Sequence, residues 1–189
     1  MERAEEQRLI RRARRGDRRA TEALIREHQG SLYAYMLRMT GRRDVAEEVV
    51  QEAFVRALSH LDRFDDRFRF STWVFTIAKR LHVNTVQKRA PIFSSGAAEV
   101  AAGWSEAWPG EASAEDERLG RVQRALLRLP EVQRSVLVLF TQLDWSIRRI
   151  AQHLSLPEGT VKSHLHRSRA RVRKLVEEAE GVRIEEVVR

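Results

Sequence analysis

Cysteine is absent from all 189 residues. Disulfide staples, thiol nucleophiles and cysteine-ligated zinc are excluded at once. Histidine is sparse. His28, His60, His82, His153, His164 and His166 form no HExxH pattern, and His164 and His166 would diverge by roughly 200° on a helix. No metal site is expected. Nine glycines build no phosphate-cradling loop, so no nucleotide cofactor, no small-molecule substrate and no enzymatic activity are expected. No apolar run approaches the length of a membrane span. The first residues, MERAEEQRLIRR, lack the apolar core of a signal peptide. The expected location is cytoplasmic. Alternating β-branched runs are missing as well, and the periodicity is helical wherever it is clear. The expected fold class is all-α.

What is present is positive charge. The net charge is +8 and the pI about 10.8, which points to nucleic acid or another anionic surface. The charge is most telling in residues 145–176, WSIRRIAQHLSLPEGTVKSHLHRSRARVRKLV. Ile147, Ile150, Ala151 and Leu154 recur at helical spacing, with Ser146 placed as N-cap. Pro157 then forces Leu156 out of the helical region and suits the first turn of a new helix. Val161, Leu165, Ser168, Val172 and Leu175 make one face of that second helix. Two short amphipathic helices about a tight turn predict a helix-turn-helix.

Between Thr160 and Lys174 there are six Lys or Arg and no acid. At roughly 100° per residue, Thr160, Ser163, His164, Arg167, Arg171 and Lys174 share a flank suited to base edges in a major groove. Lys162, His166, Arg169 and Arg173 share the other polar flank, suited to phosphates. A solvated basic helix is the plainer reading. The missing acids and the preceding Pro turn favour DNA.

The remainder reads as helices with punctuation. A first helix spans residues 5–14 and ends at Gly16. Asp17 caps the next, which carries Ala20, Leu24, Ile25, Leu32, Tyr35, Met36 and Met39 and is interrupted by Gly30. Asp44, with Glu47 three residues on, has capping-box spacing for the third. Val45, Val49, Ala53, Leu58 and Leu61 face inward there. Asp44, Glu47, Glu48, Gln51 and Glu52 form an acidic stripe. The helix dipole favours acids in the first turn only, so the stripe is also a candidate docking surface for a basic protein. Next comes HLDRFDDRFRF, a loop with Phe64, Phe68 and Phe70 among arginines. Ser71 or Thr72 is the expected cap of a helix carrying Trp73, Ile77 and Leu81. Rings interleaved with cations can hold unstacked single strands, although Trp73 and Phe75 also suit a core.

Residues 90–117 hold six acids and no Lys or Arg. That composition predicts a flexible acidic linker, with Trp104 and Trp108 as exceptions. Two further helices, split by Pro130, place Leu126, Leu129, Val132, Val136, Leu139 and Phe140 under the helix-turn-helix. The expectation is two small helical domains, residues 1–89 and 118–180, the second a four-helix bundle.

DVAEEVVQEAFVRAL, FRFSTWVFTIAKR, LPEVQRSVLVLF and LPEGTVKSHLHRSRARVR, in that order, resemble a bacterial sigma factor of the sigma-seventy family. The match is to the small extracytoplasmic-function group, which keeps only regions two and four. The resemblance implies transcription initiation. Region two would bind the clamp helices of the polymerase β′ subunit through Asp44, Glu47, Glu48, Gln51 and Glu52. It would open and capture the minus-ten element with Arg63, Phe64, Phe68, Phe70, Trp73, Lys79, Arg80 and Asn84. Region four would bind the β flap and read the minus-thirty-five element with Thr160, Lys162, Ser163, His164, Arg167, Arg169 and Arg171. Implied partners are core RNA polymerase, promoter DNA and an anti-sigma factor of the kind that often covers these surfaces. The chain departs from the family at Arg80, often Asn, and Asn84, often Asp. It departs again at Arg148 and Arg149, commonly Glu, and at Ser155, usually Gly. An ordinary repressor or activator remains the competing reading, although residues 1–89 offer it no obvious dimer interface or effector pocket.

Overall fold

A computed structural model describes residues 1–89 and 114–180, with side chains described for 1–84 and 117–179. The acidic linker, with Trp104 and Trp108, lies outside the described residues. All regular structure among the described residues is helical. The chain divides into two compact units, Met1–Ser94 and Ser95–Arg189.

The first unit holds α1 (Arg3–Arg14), α2 (Arg18–Thr40), α3 (Arg43–Ser59), a 3-10 turn (Leu61–Arg63) and α4 (Phe70–Arg89). Asp17 caps α2 as expected, its carboxylate accepting from the Ala20 N–H at 3.2 Å. Gly30 does not interrupt α2, which runs unbroken to Thr40, because the buried stripe on both sides of it holds the helix on the core. Gly41 ends α2 at φ +69°, a left-handed position that glycine takes without a Cβ clash. The expected cap of α3 is corrected. Arg42, extended at φ −124°, is the cap residue, and Asp44 sits inside the first turn. There the dipole still favours its charge, and its carboxylate takes the Arg42 guanidinium. The cap of α4 is corrected too. The helix begins at Phe70, and the first N–H bond runs from Trp73 to the Arg69 carbonyl at 3.3 Å. Burial of Phe70 draws the start of the helix forward, so Ser71 and Thr72 lie within its first turn.

Helices α2, α3 and α4 pack on one another, and α1 lies on α2. Leu24, Leu32 and Met36 meet Ala46, Val49 and Ala53, with Val74, Phe75 and Ala78 closing the core. The rings of Tyr35 and Phe75 lie 5.3 Å apart. Burying each large apolar side chain contributes about 1.5–3 kcal/mol before entropy is charged against it. Trp73, Ile77 and Leu81 are half-buried, on the flank of this face rather than at its centre.

The second unit holds α5 (Ala114–Leu127), α6 (Glu131–Thr141), α7 (Ile147–Leu154) and α8 (Glu158–Glu180). Helix α8 packs against all three others. Val161, Leu165, Ser168 and Leu175 are buried on α8, over Val136, Leu139 and Ile150. Ser168 is the one polar member of that stripe, and its hydroxyl donates toward two carbonyls: His164, 2.6 Å away in its own helix, and Gln133 of α6 at 3.1 Å. Buried Arg134 donates to the carbonyls of Leu127 and Leu129 at 3.0 and 3.1 Å. It thereby caps the C-terminus of α5, whose last carbonyls lack helical partners.

No helix among the described residues is long and apolar enough to cross a membrane.

Candidate nucleic-acid and protein interfaces

The helix-turn-helix is built locally. The Ser146 hydroxyl accepts from the Arg149 N–H at 3.2 Å and starts α7. Ser155 ends it at φ +55°, ψ +45°, the left-handed conformation that usually selects glycine. The Leu156 N–H reaches the Ala151 carbonyl at 3.0 Å and the Ser155 N–H reaches Gln152 at 3.4 Å. This crossed pair is a Schellman closure. It gives the sharp turn without the glycine. The Pro157 carbonyl then accepts from Val161 at 3.1 Å and opens α8.

On α8, Lys162, Ser163, Arg167, Arg169 and Arg171 are exposed, and Thr160 and His164 are half-buried. Thr160, Ser163, His164, Arg167 and Arg171 fall on one flank of the buried stripe, Lys162 and Arg169 on the other. The Ser163 hydroxyl donates to the Gly159 carbonyl at 3.0 Å, and Arg167 Nε donates to the Ser163 carbonyl at 3.3 Å. The Arg169 guanidinium lies 5.2 Å from the Phe140 ring centre. That of Arg149 lies 3.6 Å over the Trp145 ring, a cation–π contact.

In the first unit the acidic stripe lies on the outer face of α3. Asp44, Glu47, Glu48 and Gln51 are exposed, and Glu52 is half-buried. Arg42 holds the Asp44 carboxyl below the usual carboxylate range, first through its hydrogen bond. Glu52 takes Arg56 one turn on. Glu47 and Glu48 form no ion pair with a described residue. Val55, 58% exposed, continues the stripe as an apolar end. Sequence reasoning missed it, although its spacing of seven from Glu48 puts it on the same face.

The aromatic loop separates by burial. Phe64 and Phe70 are core residues, 5% and 0% exposed. Phe64, Phe70 and Trp73 form a ring cluster with centroids 5.1 to 6.0 Å apart. This corrects the expectation that Phe64 and Phe70 offer their rings to bases. Phe68 is the outward ring, 50% exposed. Arg63 is exposed beside the loop, while Arg67 folds onto Asp65 through three hydrogen bonds of 2.7 to 3.0 Å. That guanidinium is the main reason the Asp65 carboxyl titrates lower than usual. Trp73, Arg80 and Asn84 fall along one stripe of α4, and Lys79 sits about 100–140° from them. Lys79 is half-buried, and Arg80 and Asn84 are exposed.

Helix α1 also reaches this loop. Arg3 donates to the Arg67 carbonyl at 2.8 Å, and Gln7 to the Asp66 carbonyl at 3.3 Å. Arg14 donates to the carbonyls of Leu61 at 3.1 Å and Phe64 at 2.5 Å. Glu6, 1% exposed, takes Arg69 at 3.3 Å and lies 3.6 Å from His28. A periodicity reading has no means of finding these contacts, because each joins residues far apart in the chain. The only local signal was Glu6 itself, an acid beside Leu9 and Ile10 on an otherwise apolar face. Among the described residues, no group of three His, Asp or Glu side chains could hold a metal ion.

Comparison with known proteins places these surfaces in a lineage. Residues 24–91 match the family described as Sigma-70 region 2, and residues 119–172 match Sigma-70, region 4. The chain is 33% identical over 175 residues to the ECF RNA polymerase sigma factor SigW of Bacillus subtilis, covering 87% of this chain and 93% of that one. The structure of CnrH in complex with the cytosolic domain of CnrY superimposes with a TM-score of 0.69 at 25% identity, over 92% of this chain and 98% of that one. The sigma factor RpoE in complex with the anti-sigma factor NepR, from Bartonella quintana, shares the fold with a TM-score of 0.65 at 22% identity, over 82% of this chain and 96% of that one.

Proposed function

This chain belongs to the extracytoplasmic-function (ECF) group of RNA polymerase sigma factors, and on that premise we propose how its surfaces divide the work of initiation. Its role is that of a sigma factor in transcription initiation. Residues 1–89 act as the region that grips core polymerase and opens the minus-ten element. Residues 118–180 read the minus-thirty-five element, and residues 90–117 join the two.

Polymerase docks on α3. Glu47 and Glu48 offer free charge to a basic coiled coil of the β′ clamp, and Val55 offers an apolar contact at the edge. Complementary charge of this kind speeds encounter and sets register. Helix α8 enters the major groove by its first turns. Thr160, Ser163, His164 and Arg167 face base edges, and Lys162 and Arg169 neutralise phosphates. The β flap meets this same unit.

The observation that carries the opening step is Phe68, half exposed in an arginine-rich loop while its two neighbouring phenylalanines are buried. A base lifted from the duplex loses stacking worth a few kcal/mol, and an aromatic surface offsets that loss. Phe68 supplies the surface, and Arg63, Arg80 and Asn84 supply polar contacts to the strand. An anti-sigma factor would cover these same faces; CnrH is bound to the cytosolic domain of CnrY and RpoE to the anti-sigma factor NepR.

The test is promoter opening by core polymerase with Phe68→Ala, followed by permanganate reactivity of minus-ten thymines. Polymerase binding should be unchanged and opening of duplex DNA slowed, with recovery on a template already melted at minus ten. Opening at the parent rate on duplex DNA would remove Phe68 from the step.

A further inference from the structure

The outward pose of Phe68 is not explained by its own contacts. Its N–H bonds the Asp65 carbonyl at 3.1 Å, which closes a turn, but the ring is half in solvent. What holds the segment is α1. Arg14 brackets the start of the loop at the Leu61 and Phe64 carbonyls. Arg3 and Gln7 hold the middle at Asp66 and Arg67. Glu6 holds the end through Arg69. Phe68 thus lies between two pinned neighbours. Positions 3, 7 and 14 are spaced four and seven apart, so they fall on one stripe of α1, with Glu6 beside it.

We propose that α1 is a splint that sets the shape of residues 61–69, and that Arg14 is its main positioning residue for presenting Phe68 to DNA. The proposal rests on the reading of that loop as the opening element. Arg14 touches no base. Its guanidinium adds a second donor to the Leu61 carbonyl, which already takes the Phe64 N–H at 3.1 Å, and reaches the Phe64 carbonyl at the end of the same 3-10 turn. Charge-assisted bonds to such carbonyls are stronger than neutral ones. The Glu6 to Arg69 pair locks the far end, because releasing Arg69 would leave a buried carboxylate without its cation. The stripe is directed at the loop alone: each of the three donors bonds backbone oxygen there, so the splint is indifferent to loop side chains and leaves them free to face a strand.

The experiment uses the full chain with core polymerase and compares Arg14→Ala, Phe68→Ala and the double variant by the rate of permanganate-detected opening. Arg14→Ala should slow opening about tenfold, the rate equivalent of one charge-assisted hydrogen bond. The double variant should be no slower than the slower single, because both act through the same ring. A parental rate for Arg14→Ala, or a double variant slowed by the product of the two singles, overturns the splint. Should Phe68→Ala alone open at the parent rate, the assignment of the loop fails, and amide exchange judges the splint separately. Faster exchange at residues 65–69 in Arg14→Ala then supports it, and unchanged exchange overturns it. If Arg14→Ala does not fold, Arg3→Ala takes its place with the same outcomes, because that side chain is exposed and holds only the loop.

Discussion

Two arginines do similar work in the two units, and the difference between them separates the units as a whole. Arg134 caps the carbonyls of Leu127 and Leu129 from 7 and 5 residues away. Arg14 caps those of Leu61 and Phe64 from 47 and 50 residues away. In the second unit the basic surface proposed to read DNA is one face of α8, and the opposite face of that helix is the core. Local pattern writes both. In the first unit the loop proposed to open DNA has no regular structure beyond a 3-10 turn, and its carbonyls are bonded by side chains of α1, 47 to 64 residues upstream. A surface carried on a helix is defined by its own residues, whereas a surface carried on a loop is defined by whatever holds the loop.

The sharpest way to separate the units is to remove one function and keep the other. Glu47→Lys with Glu48→Lys replaces free acidic charge with repulsion on α3. Core polymerase binding should weaken by several kcal/mol, while thermal unfolding stays within about 0.5 kcal/mol of the parent, as expected at exposed positions. Unchanged affinity in a pull-down would move the docking face off α3. Next in size is Arg134→Ala. It strips a buried cap from α5 and should destabilise the second unit by about 1.5–3 kcal/mol. Denaturation followed by amide exchange should show early opening in α5 and α6 with α1 to α4 unaffected. Concerted loss of protection in both units would show that they are not independent. The smallest effect divides α8 itself. Arg167→Ala should cost about 1–3 kcal/mol of discrimination at one base pair. Arg173→Ala should weaken all sequences alike and lower the salt slope by about one. Equal weakening of every promoter by Arg167→Ala would mean that α8 docks by another face.

The same contrast explains what could be read from residues alone. The buried stripe of α8, including polar Ser168, follows from spacing. So do the Ser146 cap and the acidic face of α3. Ser155 was readable only in part. The turn is where the spacing puts it, but a serine accepts the left-handed conformation there because two crossed backbone bonds hold it. The caps lie two residues before the one expected at Asp44 and two or three before those expected at Ser71 or Thr72. Burial of Phe70 decides where α4 begins, and the extended Arg42 decides where α3 begins. Phe64, Phe68 and Phe70 lie within seven residues in two different environments, and no pattern in the loop ranks them. Their sorting depends on Trp73 packing against two of the rings, and on Arg3 and Glu6 holding Arg67 and Arg69, the neighbours of the third.

The reach of α1 also has a consequence in time. Arg3 is 64 residues from the carbonyl it bonds at Arg67. At about 5–20 residues per second of synthesis, roughly 3–13 s separate the two on the ribosome. A helix forms in about a microsecond or less, so α1 can exist long before its acceptors do. Over that interval Arg3 and Arg14 lack their carbonyl acceptors in the loop, and Glu6, already near His28, lacks Arg69. Helix α3, with its acidic face, is synthesised before residues 61–69. A nascent chain therefore completes the acidic helix α3 before the loop that α1 holds.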